Sequence, residues 1–156
     1  MPHQQTIELR AVDADGADAM RLLETYFAEL RSTFGSFTAP SLADLRADGE
    51  GGVVLVAYDE GLPVACGSLR RLDDDTAEVK RMFVLPEARG RGLGRQVLRA
   101  LEERARSLNC VRVVLDTAAP LEAAATMYLR EGYREVARYN DNPYATRWFE
   151  KRLASR

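Results

Sequence analysis

Residues 86–97 read PEARGRGLGRQV, setting Gly90, Gly92 and Gly94 among Arg89, Arg91 and Arg95. The run before it, AEVKRMFVL, has the β-branched and large apolar residues of a strand. After it, Leu93, Val97, Leu98, Leu101, Ala105 and Leu108 recur at helical spacing. The stretch is therefore a strand-to-helix turn. Amides in the first turn of a helix have no intrahelical partner, and the helix dipole adds partial positive charge there. Glycines let an anion approach those amides with no Cβ in the way, so the turn reads as a phosphate cradle. The plainer alternatives are an eased turn at Gly90 and tight helix-on-strand packing at Gly92 and Gly94. The side chains of Arg91 and Arg95 either reach phosphate oxygens or are solvated surface charge.

Several phosphate ligands are poor fits. A nucleoside triphosphate loop needs G-x-x-x-x-G-K-S/T, and no Lys followed by Ser or Thr occurs in this turn. A dinucleotide fold places G-x-G-x-x-G after its first strand, whereas these glycines follow four strands and miss the third spacing. A net charge of −2 argues against a partner such as nucleic acid. The one histidine, His3, leaves neither a His-based triad nor a zinc site, so no metal is expected. Cys66 and Cys110 lie in apolar strand-like runs and read as buried thiols, with a disulfide the alternative. No apolar run approaches the roughly 20 residues that span a bilayer, and no leader-like segment opens the chain. The expectation is a cytoplasmic domain with no membrane partner.

The elements that must position the cradle follow from periodicity. TIELRAV alternates as a first strand, and Ala19, Leu22, Leu23, Tyr26, Phe27 and Leu30 mark a helix over 15–32. A second short helix covers 41–47, with Ser41 as its N-cap. GGVVLVAY and LPVACGSLRRL join through a turn at Asp59-Glu60-Gly61, and three aspartates at 73–75 turn the chain into AEVKRMFVL. The helix over 92–108 precedes the strand CVRVVLDT, and LEAAATMYLREG forms a last helix ending at Gly132. YREVARY and ATRWFEKRL close the chain as strands, the latter pairing either internally or across a dimer. The order β-α-α-β-β-β-α-β-α-β-β gives one α/β (α+β) domain over 1–156, a mixed sheet with helices on both faces.

Arg89-Gly90-Arg91-Gly92-Leu93-Gly94 matches R/Q-x-x-G-x-G/A, the acyl-CoA signature of the GNAT superfamily of N-acetyltransferases. Pro86-Glu87 ahead of it and Tyr128…Gly132-Tyr133 behind it resemble further segments of that family, and the element order resembles the family order throughout. The resemblance implies acetyl-CoA as co-substrate, held where the fourth and fifth strands splay. Main-chain groups of Met82, Phe83 and Val84 would hold the pantetheine arm, and the amides from Arg89 through Gly90, Arg91, Gly92, Leu93 and Gly94 to Arg95 the pyrophosphate. The Val84 N–H would polarise the thioester carbonyl. Tyr128 matches the tyrosine that donates to the departing sulfur; its other reading is a core tyrosine. Glu78 stands in the register of a catalytic glutamate of the histone-acetylating branch. It is either that base, directly or through water, or a partner of Lys80 or Arg70 across a strand. Period two places Glu78 on one face with Lys80, Met82 and Val84, opposite Arg81. The family asparagine seven positions before the tyrosine is here Leu121, which puts one cofactor contact in doubt.

By the same resemblance the acceptor enters between the first two helices and the loop joining the last two strands. Tyr26, Phe34 and Phe37 are candidates for its walls, with core packing the reading for Tyr26. Asn140 and Asn142, in the polar turn NDNPY, are either an Asx turn or acceptor contacts. Arg70, with Arg71 and Arg81, either holds an acceptor carboxylate or is solvated strand charge. Asp116-Thr117 ends the fifth strand near the cofactor. The expected function is transfer of acetyl to a primary amine, of a small molecule first, by direct attack in a ternary complex, in a monomer or homodimer. The alternatives are acetylation of protein N-termini or lysines, and a non-catalytic acyl-CoA sensor.

Overall fold

The computed structural model describes residues 6–48, 51–118 and 122–154; His3 and Leu121 lie outside them. Eleven segments were to be expected from the periodicity, and the chain has them with one 3₁₀ turn besides: β1 (Ile7–Val12), α1 (Ala17–Phe34), α2 (Leu42–Asp48), β2 (Val53–Asp59), β3 (Leu62–Arg71), β4 (Thr76–Val84), a 3₁₀ turn (Pro86–Ala88), α3 (Leu93–Ser107), β5 (Arg112–Thr117), α4 (Glu122–Arg130), β6 (Arg134–Val136) and β7 (Arg147–Arg152). The strands form one sheet in the order β1-β2-β3-β4-β5-β7-β6. Only β4 and β5 pair in parallel, through α3, as a crossover connection requires. β7 lies between β5 and β6, so its apolar pattern is met by internal partners. YREVARY keeps only three strand residues; from Ala137 the chain leaves the sheet and runs toward the mouth of a cleft.

Local chemistry sets the joints. Glu60 and Gly61 both have positive φ, the signature of a two-residue hairpin between β2 and β3. Ser41 caps α2 reciprocally: its Oγ accepts the Asp44 N–H at 3.1 Å and its own N–H donates to Asp44 Oδ2 at 3.1 Å. Asp73 Oδ1 accepts the amides of Asp75 and Thr76, both at 2.8 Å, closing the acidic turn. Gly132, at φ +95°, ends α4.

The core has two layers, one on each face of the sheet. α1 lays Ala19, Leu22, Leu23, Phe27 and Leu30 against Val56, Tyr58, Cys66 and Phe83. α3 lays Val97, Leu98, Leu101 and Ala105 against Leu69, Ala77, Val79, Val113 and Leu115. Each fully buried leucine or valine among them contributes roughly 1.5–3 kcal/mol. The two thiols are free and buried, Cys66 in one layer and Cys110 in the other.

Candidate active site

The β4–β5 ladder holds for only three pairs, Thr76↔Arg112, Ala77↔Val113 and Glu78↔Val114. Beyond Glu78 the strands part, because β4 bulges. Across β3, Cys66 opposes Phe83 and Ser68 opposes Lys80, so Gly67 alone faces both Arg81 and Met82. Arg81 takes φ +57°. A Cβ on Gly67 would lie 2.5 Å from Met82 Sδ, so the glycine makes the room into which Met82 turns.

The bulge corrects the period-two expectation. Met82 and Val84 join Ala77 and Val79 on the α3 face, while Glu78 and Lys80 face α1. Arg81 is on that α1 side too, lining a small cavity with Ala19, Leu23 and Leu45, and not opposite Glu78. Strict alternation fails wherever one strand carries an extra residue.

The parted strands open a cleft that passes through the sheet. Met82, Ala124 and Tyr128 line one end, Lys80, Arg81, Asp116 and Thr117 the middle, and Tyr26, Leu30, Phe37, Asn142 and Tyr144 the other end. The Leu85 N–H donates to the Val64 carbonyl at 2.9 Å, toward β3. Alternation then turns the Val84 N–H and carbonyl to the opposite edge, where β5 has left. Arg89 Nε donates to that Val84 carbonyl at 3.0 Å.

At the α3 end, Gly92 is the N-cap at φ +75° and Gly90 has φ +83° with open space where a Cβ would stand. The first ladder bond of the helix is Gln96 N–H to the Gly92 carbonyl at 3.1 Å, so the amides of Leu93, Gly94 and Arg95 precede the ladder. Two of the arginine side chains have protein partners. Arg89 forks onto Glu29 at 2.9 and 3.0 Å, and Arg91 donates to Asp59 at 2.9 Å. The turn thus presents the main-chain amides that precede the helical ladder, with Arg95 the arginine beside Gly92.

Tyr128 is buried in the α3-side core, as a core tyrosine would be, and also lines the cleft. Burial raises its phenol well above the ordinary range, and the charge of Asp116 adds to the shift. Tyr26, stacked on Phe83 at 5.1 Å, is raised by burial to about 12. Burial pushes the Cys66 thiol to about 12, far from the thiolate an acyl-enzyme needs.

Glu78 is sealed, with its side chain 1% exposed, and is not among the residues lining the cleft. Oε1 accepts Arg70 Nε at 2.9 Å; Oε2 accepts Tyr139 Oη at 2.6 Å and Asn140 Nδ2 at 3.3 Å, with Lys80 Nζ at 3.8 Å. Both pairings open to it from sequence are thus made, with Arg70 across the β3–β4 ladder and with Lys80 two residues along β4, and Arg70 is spent on the glutamate. One link further on, Asp116 Oδ2 accepts Asn140 Nδ2 at 2.6 Å and lies 3.5 Å from Lys80 Nζ, while Oδ1 accepts Asn142 Nδ2 at 3.1 Å. Asn140 and Asn142 also make the Asx geometry, accepting the amides of Asn142 and Tyr144 at 3.3 and 3.1 Å. Trp148 Nε1 fixes Asn140 Oδ1 at 2.9 Å. Phe34 sits one ring behind the cleft, packed on Tyr144 at 5.5 Å.

Tyr139 and Lys80 carried no motif, and Tyr144 appeared only as the end of a turn. The polar run between two strands was the one signal pointing to Tyr139 and Tyr144.

The matched family model spans residues 17–133 and is described as the acetyltransferase (GNAT) family. Among curated proteins the chain is similar to the IAA acetyltransferase of Azospirillum brasilense, 34% identical over 82 residues, 52% of this chain and 54% of that one. The chain spans about half the length of the curated relatives it matches. Among solved structures, an acetyltransferase of the GNAT family from Staphylococcus aureus superposes with a TM-score of 0.79 at 18% identity, over 96% of this chain and all of that one. A GNAT family acetyltransferase from Elizabethkingia anophelis with acetyl-CoA bound superposes at 0.70 and 17% identity, over 94% and 98%. With the family model covering three quarters of its length, the chain belongs to the GNAT acetyltransferase family.

Proposed function

We propose that the protein moves an acetyl group from acetyl-CoA to the primary amine of a small molecule, by direct attack within a ternary complex. The observation that carries this is the through-sheet cleft, which joins the glycine turn and the Val84 main chain on one side to Tyr128 and an aromatic mouth on the other. The residues fit acetyl-CoA. Gly90 leaves open the space a phosphate needs, Gly92 sets the Arg95 guanidinium beside it, and the amides of 93–95 precede the helical ladder. Met82, Phe83 and Val84 offer the pantetheine arm a strand edge, and Arg89 steadies that edge through the Val84 carbonyl.

Acetyl-CoA supplies an acyl group already activated as a thioester. The Val84 N–H, facing the opening, is the donor for the carbonyl oxygen as it gains negative charge. Tyr128, kept protonated by burial, donates its phenolic hydrogen to the sulfur as the carbon–sulfur bond breaks and is reprotonated from the open cleft. The acceptor loses its ammonium proton to water before its lone pair attacks. Glu78 contributes by position: sealed behind Lys80, it orders Asn140, Tyr139 and Arg70 and does not meet the acceptor.

Direct attack is favoured over an acyl-enzyme because both cysteines are buried. A small acceptor is favoured over a protein because the amine end is walled by rings and by the 137–146 loop, not by an open groove. Titration calorimetry with acetyl-CoA, CoA and ATP, followed by an amine panel read by CoA release, tests the proposal. Micromolar binding of acetyl-CoA, silence with ATP and turnover of a small amine support it. No binding of either CoA species overturns it, and binding without turnover of any amine or peptide leaves a sensor.

A further inference from the structure

Resting on that reading, we infer that Asp116 receives the acceptor's amine and that Phe37 and Tyr144 select an acceptor carrying an aromatic ring, making arylalkyl primary amines the substrate class. Asp116 is the one carboxylate among the described residues that line the cleft. It stands two residues past the last β4–β5 pair, where the sheet opens, and its charge is felt by both Tyr26 and Tyr128 at the two ends. Its side chain keeps 10% exposure, against 1% for Glu78.

The hydrogen-bond inventory favours the same residue. A carboxylate offers about four acceptor positions. Asn140, Asn142 and Lys80 fill three on Asp116, and both carboxamides fix its orientation from the far loop. That leaves one position for an amine N–H on the cleft side. The two cations on the same wall, Lys80 and Arg81, offer nothing to an ammonium.

Beyond Asp116 the cleft is aromatic. Phe37 and Tyr144 line it with centroids 4.8 Å apart, Phe34 backs Tyr144 at 5.5 Å and Phe27 backs Phe37 at 5.6 Å. Tyr144 is fixed by accepting the Thr38 N–H at 3.1 Å, which ties the loop after α1 to the β6–β7 loop. Rings braced in this way present flat faces and edges at defined positions, which suits another ring better than a flexible chain.

The test compares 2-phenylethylamine with n-propylamine and L-phenylalanine under saturating acetyl-CoA, in wild type, Asp116→Asn and Phe37→Leu. The expected result is a kcat/KM for 2-phenylethylamine about ten-fold or more above n-propylamine, and above L-phenylalanine, whose carboxylate would crowd Asp116. Asp116→Asn should raise the KM for 2-phenylethylamine about ten-fold with the KM for acetyl-CoA unchanged. Phe37→Leu, which keeps bulk, should shrink the ring preference without altering acetyl-CoA binding, a readout that loss of folding would not give. Equal use of n-propylamine, preference for L-phenylalanine, or an unmoved amine KM in Asp116→Asn overturns the inference. Acetyl-CoA binding in wild type separates the cases: binding retained means the acceptor assignment alone fails, binding absent means the proposed function has failed first.

Discussion

The phenol of Tyr139 donates to Oε2 of Glu78 at 2.6 Å, across 61 positions of sequence, and so staples the loop after β6 to the middle of β4. Glu78 is thereby a sealed, saturated carboxylate. Removing the phenol leaves a buried charge short of one charged hydrogen bond, a cost of roughly 1.5–3 kcal/mol. Tyr139→Phe and Glu78→Gln should both lower the urea midpoint by comparable amounts. Both should raise the acceptor KM more than they lower kcat, since Asn140 and hence Asp116 lose their brace. A hundred-fold fall in kcat in Glu78→Gln, with Tyr139→Phe near wild type, would instead make the glutamate the direct base.

Tyr128→Phe separates catalysis from binding. The ring packs on Tyr133 at 5.8 Å and Phe149 at 6.0 Å, and phenylalanine keeps those contacts. Affinity for acetyl-CoA should stay within a few-fold, while kcat falls by about 10²-fold, the usual worth of a positioned acid. Normal turnover in a folded Tyr128→Phe would remove the residue from the reaction.

Much of this was legible in the sequence, for identifiable reasons. Element order, both hairpin turns, the Ser41 cap and the glycine turn that opens α3 follow from patterns shorter than about twenty residues. The bulge at Arg81 was hidden, because a bulge depends on what opposes it; only Gly67, in the partner strand, makes the space for Met82. With the bulge unseen, period two set Glu78 on one face with Met82 and Val84, opposite Arg81. The sealing of Glu78 was hidden for a related reason. Arg70 lies eight positions away, but Tyr139 and Asn140 lie more than sixty away, and nothing in a turn-prone NDNPY says which strand it will cover.

Gly92→Asp tests the cradle. At φ +75° a side chain costs roughly 1–2 kcal/mol, and a carboxylate there would face the phosphates. Calorimetry should show acetyl-CoA affinity falling at least about a hundred-fold in a protein that still melts cooperatively. Gly92→Ala separates strain from charge and should lose far less. Equal affinities for wild type and the aspartate variant would remove the phosphates from this turn.

Gly67→Ala reaches the same cofactor from behind. The new methyl would lie 2.5 Å from Met82 Sδ and 3.0 and 3.1 Å from Val97 and Leu101. Met82 is the flexible neighbour, so it moves, and the wall of the cleft moves with it. Overpacking of this kind costs about 1–3 kcal/mol. The acetyl-CoA KM should rise several-fold while the amine KM, set on the far side of the sheet, holds. An unchanged acetyl-CoA KM would show that Met82 does not shape the cofactor's path.

Stability should fall steeply in alkali. Cys66 goes from an ordinary value near 9 to about 12 and Tyr26 from near 10 to about 12, while Tyr128, Tyr133 and Tyr139 are raised further, burial being the largest cause in each. Every one of these groups holds its proton more tightly when folded. Below about pH 9 both states are protonated and the stability is fully present. As pH rises past 9 the unfolded thiol and then the unfolded phenols ionise while the folded ones do not, so the unfolded state gains. The slope steepens through pH 10 as the phenols join the thiol. Urea midpoints at pH 8, 9, 10 and 11 should be flat between the first two and drop progressively thereafter. Cys66→Ala should delay the onset, because the thiol is the first of the set to ionise in the unfolded chain. A midpoint that holds to pH 11 would mean that water reaches these groups in the native protein.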